Sequence, residues 1–354
     1  MGQKITQPKL IDSTELEQCM LNGAHKVDAY SELLEDLFLI RNPKYKFEKD
    51  YKKDLKKFVE EHCAGKDIET CGSWFLFPWN NFLVHFLDDE LHQELRTARN
   101  KNLITAEEQG KLRNLCIAFA GMSVGSHCAL TINMMGMARH MKIADPDVLS
   151  GSNMNRVRYD FTKVGKKKSA VAREHLYQMD PYSIIDEFSD GVTSENVSDF
   201  FEGVDILVEE TDNLETKIFL REESKKRGIP VVMATDNGDG VIVDIERYDL
   251  DKNTKLFNGL IGDITLDEFK NFPAHELPKL ASKIAGLELI VPRMLESLAL
   301  VGKSLYSWPQ LGDAATLSGV VVAYAVKQIA LGFPIHRGKI DINLDNLFAE
   351  KLEE

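Results

Sequence analysis

The chain has 354 residues, 44% hydrophobic and 28% charged, with a formal net charge of −13. That is room for one large domain or two ordinary ones of a soluble globular protein. The acidic balance weighs against a generic nucleic-acid binder, which carries a basic surplus, yet leaves a phosphate ligand open, because a few local cations and backbone N–H groups suffice. No apolar run approaches the ~18–20 residues that span a bilayer. The start of the chain carries no apolar leader, so a cytoplasmic protein without membrane or nucleic-acid partners is expected. Gly2 and Thr6 satisfy the loose N-myristoylation pattern, as many ordinary polar tails do. The five cysteines, Cys19, Cys63, Cys71, Cys116 and Cys128, form no CxxC pair. No zinc is expected from that spacing, and Cys116 and Cys128, in apolar surroundings, read as buried packing residues.

Residues 1–110 read as an N-terminal α+β region. Tyr51 to Glu61 has Leu55, Phe58 and Val59 at helical spacing. Residues 74–79 and 81–86 read as two short strands or a hairpin whose aromatic side chains form a small core. A helix opens near Asp88, and Thr105-Ala-Glu-Glu108 is a capping-box start. From 113 the pattern changes. Strands are expected at 115–120, 141–144, 183–188, 204–208, 229–234 and 241–245. Helices are expected at 126–138, 166–179, 194–201 and 214–227. Strands alternating with helices imply parallel βαβ units, an α/β fold with a doubly wound, Rossmann-like, mostly parallel sheet and helices on both faces. Two apolar-periodic segments follow, 288–301 and 314–331, the second expected to pack on the sheet. This domain is assigned to 111–335, with a polar C-terminal tail over 336–354.

Gly121-Met-Ser-Val-Gly-Ser126 joins the first strand of that domain to its helix. A glycine turn here lets the backbone approach a phosphate at a helix N-terminus. Alone it is equally a plain strand–helix turn. Further along stand Asp145-Pro-Asp147 at the end of the second strand, Ser152-Asn153-Met-Asn-Arg156, Gly165-Lys-Lys-Lys168, and Thr211-Asp212-Asn213 after the next long strand. An acidic residue ending the second strand is placed to meet ribose hydroxyls.

In these residues the chain resembles the E1-like adenylating enzymes, the superfamily of ubiquitin-activating enzymes and of the ThiF–MoeB–HesA type. Their linked pattern is D-x-D, S-N-x-x-R, G-x-x-K and T-D-N. The resemblance covers roughly residues 95–332. The family's three loop glycines correspond to Gly121, Ser123 and Ser126, with Gly125 out of register. Residues 36–43 and 96–105 resemble a bacterial ThiF-family branch, sometimes fused to a nitroreductase-like flavin domain, so a separate flavin partner is implied.

The resemblance implies an ATP- and Mg²⁺-dependent adenylyltransferase that couples a carboxylate to AMP and releases pyrophosphate. Gly121, Ser123, Gly125, Asp145, Asn153, Arg156, Lys168, Asp212 and Asn213 would bind ATP. Arg156, Lys168 and Asp212 would be catalytic, and Asp212 would hold the Mg²⁺. Arg156 can fork onto phosphate oxygens. Lysines 166–168 oppose the dipole of the helix they open unless an anion lies near, and Asn213 can cap the helix from Leu214 while facing the site. Arg96 and Arg99 correspond to an arginine that reaches ATP in a neighbouring subunit of a homodimer, or are helix-surface cations. No cysteine follows Cys128, so no thioester is expected on this chain. The acceptor is expected to be a carrier-protein C-terminus or a small molecule. Two alternatives stay open: an NAD-dependent oxidoreductase, and a non-catalytic nucleotide- or partner-binding scaffold.

Overall fold

A computed structural model describes residues 7–262, 264–273 and 276–349; Gly2 and Thr6 lie outside them. The chain forms two compact units, one of residues up to 109 with 134–136 and 174–183, the other of 110–133, 137–173 and 184 onward.

The first unit holds a four-stranded sheet of order β1-β3-β4-β2, from β1 (Lys9–Ile11), β2 (His25–Val27), β3 (Ser73–Phe77) and β4 (Phe82–Phe86). β3 and β4 form the expected hairpin, with Ser73 opposite Phe86 and Phe77 opposite Phe82. Most of its aromatic side chains are core, while Phe82 is exposed. Trp74, Phe75 and Phe77 are buried, and His85 stacks between Tyr30 and Trp74 with ring centroids 4.1 Å from each. Helices α1 (Leu16–Leu21), α2 (Tyr30–Arg41), α3 (Lys52–Cys63) and α4 (Asp89–Arg96) complete the layer. Leu34 and Leu37 of α2 pack with Phe58 and Val59 of α3. α5 (Ala106–Arg113) opens on the predicted capping box: Thr105 Oγ1 accepts from the Glu108 N–H at 3.2 Å, and Glu108 accepts from the Thr105 N–H at 2.8 Å.

The second unit is built on seven strands: β5 (Cys116–Ala120), β6 (His140–Ala144), β7 (Ile184–Phe188), β8 (Ile206–Glu209), β9 (Val231–Asn237), β10 (Gly240–Glu246) and β11 (Gly338–Ile342). Their order is β11-β10-β9-β8-β5-β6-β7. β7, β6, β5, β8 and β9 run parallel, and β10 and β11 add an antiparallel edge. All five residues of β5 are buried, the continuous apolar run expected of a strand covered on both faces. The helices are α6 (Val124–Met134), α7 (Lys168–Met179), α8 (Val197–Phe201), α9 (Leu214–Arg227), α10 (Leu266–Lys270), α11 (Leu277–Ala285), α12 (Pro292–Leu298), α13 (Gly312–Ala330) and α14 (Leu344–Phe348). α13 packs on β9 and β10. The Rossmann-like doubly wound sheet flanked by helices is thus the observed fold.

Two segments differ from expectation. The helix read over 288–301 is confined to α12, because Pro292 takes its first turn and Val291 is extended before it. The polar segment from 336 supplies edge strand β11, antiparallel to β10 with Val241 opposite Ile342. Its alternation, Ile340 and Ile342 between polar neighbours, is a strand period of two.

The winding places the site. After β5 the chain steps through β6 to β7 on one side of the sheet, then returns to β8 and β9 on the other. The carboxyl ends of β5 and β8 therefore frame a crevice at the topological switch point, where ligands bind in such sheets.

Candidate nucleotide cleft

A cleft of about 260 Å³ opens at that point, lined from β5 by Gly121, Ser123 and Val124, from β6 by Asp145 and Asp147, and from β8 by Glu210, Thr211, Asp212 and Asn213. Arg156, Lys168, Asp190 and Gln310 complete its polar walls. Gly121 has φ +91°, and a Cβ there would lie 2.5 Å from the Glu210 carbonyl oxygen. Only glycine lets β5 turn away this close to β8. Gly121→Ala is expected to lower stability by about 1–3 kcal/mol and to weaken nucleotide binding; an unchanged denaturation midpoint would contradict the close approach. Ser126 is buried and donates from Oγ to the Ser123 carbonyl at 2.7 Å. The Ser123 hydroxyl itself is buried and finds no hydrogen-bond partner among the described residues.

Asp145 ends β6 with 4% exposure. Its Oδ2 accepts from the Met122 N–H at 2.6 Å and its Oδ1 from the Asp147 N–H at 2.8 Å. One carboxylate thereby ties the phosphate turn to the D-P-D loop. Burial pushes its carboxyl up, against the pull of Lys168. Lys168 is itself buried at the start of α7, with Nζ 2.8 Å from Asp147 Oδ2. Lys167 donates to the Pro146 and Ser189 carbonyls at 2.7 and 3.1 Å. The lysine run that opposes the helix dipole is therefore met by an anion, the Asp147 carboxylate.

Arg156 is half buried. Its Nη1 donates to the Ser152 carbonyl at 3.1 Å and to Asn155 Oδ1 at 2.9 Å, while its buried Nε has no partner among the described residues. Burial pulls its pKa down, with the Asp236 carboxylate opposing. A guanidinium on a cleft wall is suited to a phosphate oxygen.

At the end of β8, Glu209 is fully buried among Lys217, Arg221 and Thr211. Glu210 accepts from the Ala234 N–H at 2.8 Å, replacing the ladder bond that β9 loses where β8 peels away. Asp212 is exposed on the cleft. Asn213 caps α9, accepting from the Thr216 N–H at 2.9 Å. The Cys116 and Cys128 thiols are buried, the first pushed up by burial to about 11 and the second likewise raised by burial, so neither offers a thiolate.

The ThiF family pattern matches residues 97–277, just over half of the chain. The chain belongs to the ThiF family. It is accordingly a member of the E1-like superfamily of adenylating enzymes. It is similar to the uncharacterized protein MT1398 of Mycobacterium tuberculosis (strain CDC 1551 / Oshkosh), 33% identical over 277 residues, which are 78% of this chain and 38% of that protein. It thus spans well under half the length of that relative. The tRNA threonylcarbamoyladenosine dehydratase of Bacillus subtilis (strain 168) is 27% identical over 47% of this chain and 67% of its own length. Among solved structures, E. coli MccB with ATP superposes with a TM-score of 0.50 at 14% identity, covering 71% of this chain and 66% of that one, a likeness of fold.

Of the residues the ThiF-type pattern singled out, Gly121, Ser123, Asp145, Arg156, Lys168, Asp212 and Asn213 line one cleft. Gly125 is buried in the first turn of α6, where an added Cβ would touch Glu210 and Met122 at 3.4 Å. Asn153 stands off the cleft. Its Oδ1 accepts from the Ser150 N–H at 2.9 Å, closing the turn that leads to Arg156. Arg96, in the first unit, pairs with Asp180 at 2.8 Å, and Arg99 is exposed. Sequence reasoning missed Glu210, Asp190 and Gln310 on the walls and Asp236 behind them. Asp236, with 4% exposure, accepts from Ser318 Oγ at 3.0 Å and Gln310 Nε2 at 3.1 Å. The one signal for it was an acidic residue at the end of a buried parallel strand. Among the described residues no cluster of three or more His, Cys, Asp or Glu could hold a metal, and no helix is long and apolar enough to cross a membrane.

Proposed function

We propose that this chain binds ATP with Mg²⁺ in the cleft and activates a carboxylate as its acyl-adenylate, releasing pyrophosphate. The observation that carries the reading is the convergence of Arg156, Lys168 and Asp212 on one cleft with the Gly121–Ser123 turn that leads into α6. Two cations beside a helix start suit an anionic phosphate. Family membership supports the reading, as does the shared fold of MccB, whose structure was solved with ATP.

In the reaction, a carboxylate oxygen attacks the α-phosphorus, the bond from that phosphorus to the bridging oxygen breaks, and pyrophosphate leaves with the electron pair. The attacking carboxylate is already ionised near neutrality, so the protein needs no base. Its task is to hold the groups in line and to take up phosphate charge. Arg156 forks onto phosphate oxygens, and Lys168 exchanges the exposed Asp147 for phosphate. The two Asp145 oxygens, each holding one backbone N–H, keep lone pairs for the ribose hydroxyls. Asn153 acts through Arg156 rather than by touching ATP, and Asn213 sets the start of α9 beside Asp212. One or two carboxylates plus phosphate oxygens suit Mg²⁺. Asp212 would hold that ion, which supplies further neutralisation of the triphosphate.

The adenylation domain spans 111–335. Residues 1–110 precede it, and the segment from 336 adds strand β11 to its sheet. Arg96 or Arg99 of a second copy reaches the triphosphate in a homodimer. With no exposed thiol beside the cleft, the adenylate passes directly to a nucleophile from a partner, a carrier-protein C-terminus or small carboxylate being the activated group. A separate flavin, nitroreductase-like protein is a further partner.

The test is ATP–pyrophosphate exchange with a panel of free carboxylates and carrier peptides, repeated with Arg156→Ala and Asp212→Ala. Exchange is expected with the true acceptor and is lost in both variants. Exchange that survives both substitutions would overturn the assignment of roles.

A further inference from the structure

His127 lies in α6, one turn beyond the phosphate turn, with 2% exposure. Its Nε2 is 2.5 Å from the Arg156 carbonyl oxygen. A carbonyl can only accept, so Nε2 carries the proton and Nδ1 presents a lone pair. That Nδ1 is buried with no partner among the described residues. Burial pulls the imidazole pKa down, which keeps the ring neutral. α13 closes over it: a Cβ on Gly319 would sit 2.8 Å from the His127 carbonyl carbon and oxygen and 2.9 Å from its Cβ. The ring is therefore locked in place. A side chain kept there for packing alone would be apolar, since an unmatched buried nitrogen is costly. The one polar bond this ring makes is its donation to Arg156.

The remaining anchors of Arg156 are local or reach the other way. Its N–H donates to the Asn153 carbonyl at 3.0 Å and Nη1 stays within its own turn. Asn155 beside it donates to the Gln310 carbonyl at 2.7 Å, just before α13. The His127 bond is the tie to the helix whose N-terminus opens on the cleft.

We propose that His127 is a positioning residue for Arg156, holding its backbone so that the guanidinium and the start of α6 address the same phosphate. This rests on the ATP reading above. The imidazole does not touch the nucleotide; it acts through the arginine.

The test compares His127→Gln with His127→Leu by ATP/Mg²⁺ titration calorimetry, each also in an Arg156→Ala background. Glutamine carries an amide donor near the Nε2 position, whereas leucine keeps the volume without a donor. ATP affinity is expected within about twofold of wild type for glutamine and weakened about tenfold for leucine, the effect of one lost hydrogen bond. The leucine effect is expected to vanish when Arg156 is already alanine, because the two act as one unit. Leucine binding as well as wild type, or a leucine effect undiminished without Arg156, would overturn the positioning role while leaving ATP binding intact. Wild-type protein that binds no ATP would instead bring down the functional reading and this inference with it. Thermal melts of each variant identify any that fail to fold, and Gln is then the variant read against wild type.

Discussion

Arg156→Ala is expected to slow ATP–pyrophosphate exchange about a hundredfold or more while moving the melting temperature by no more than about 2 °C. The asymmetry follows from where the guanidinium spends its donors. Nη1 bonds only within its own turn, to Ser152 and Asn155, so the fold loses little. The side chain also lines the cleft, where a bound anion can meet its guanidinium. Charge develops on the phosphate oxygens as the pyrophosphate bond breaks, and a fork-shaped cation in a partly dry cleft stabilises it more than a hydrated point charge would. Arg156→Lys is expected to recover only part of the rate, because lysine restores charge without the bidentate geometry. Steady-state exchange at saturating ATP measures both. Full activity in the lysine variant would place the arginine's role in charge alone.

The second large effect lies beneath the cleft. Arg221 of α9 is fully buried, donating to Glu209 at 2.5 Å and Glu246 at 2.6 Å, with its guanidinium 3.9 Å above the Phe257 ring. Arg221→Ala would remove the guanidinium that two buried carboxylates share, leaving Glu209 with Lys217 alone among its cations. Breaking one side of such a network costs about 3–5 kcal/mol, which for a domain of this size is a fall in melting temperature on the order of 10 °C. The pH dependence carries a sign. Burial works against ionised Glu209, but Lys217 and Arg221 hold its carboxyl down to about 2, below its ordinary 4.5. A depressed carboxyl contributes stability that is full above its ordinary value and lost as pH falls through its folded value. Wild-type stability is thus expected to drop between about 4.5 and 2, and the variant to show a shallower drop. Glu246, pushed up by burial against the pull of Arg221, works in the opposite direction. Thermal melts of both proteins across that range check the claim; a variant as stable as wild type would mean that water already solvates the cluster.

How much was legible in the sequence depends on whether a residue's role is local. β5 and β8 were readable because a strand buried on both faces is a short unbroken apolar run, and the phosphate turn follows from a glycine at a strand end. Lys168 and Asp212 were readable because one opens a helix and the other follows a strand end, ends that a doubly wound sheet gathers on one edge, and Arg156 because it closes the S-N-x-x-R motif in the loop after β6. Asn153 was assigned to the ligand, yet its side chain spends itself on the Ser150 N–H; a short polar side chain before a turn competes for backbone groups. His127, Glu210 and Asp236 were not legible. His127 sits within an apolar helix and acquires its partner only where a loop from β6 folds over it. Glu210 matters because β8 and β9 part there, and Asp236 because Ser318 and Gln310 arrive from the distant start of α13. These are consequences of tertiary packing, which no local pattern encodes. The thinned glycine loop has a physical account too: Ser126 supplies a hydroxyl bond across the turn that glycine could not make.

The central claim is that the cleft at the ends of β5 and β8 takes ATP rather than a dinucleotide. The direct measurement is titration calorimetry of the full chain with ATP/Mg²⁺ and, separately, with NAD. Saturable binding of ATP at one site per chain, dependent on Arg156 and Lys168, is expected, with no saturable binding of NAD. Saturable NAD binding with no ATP binding would contradict it.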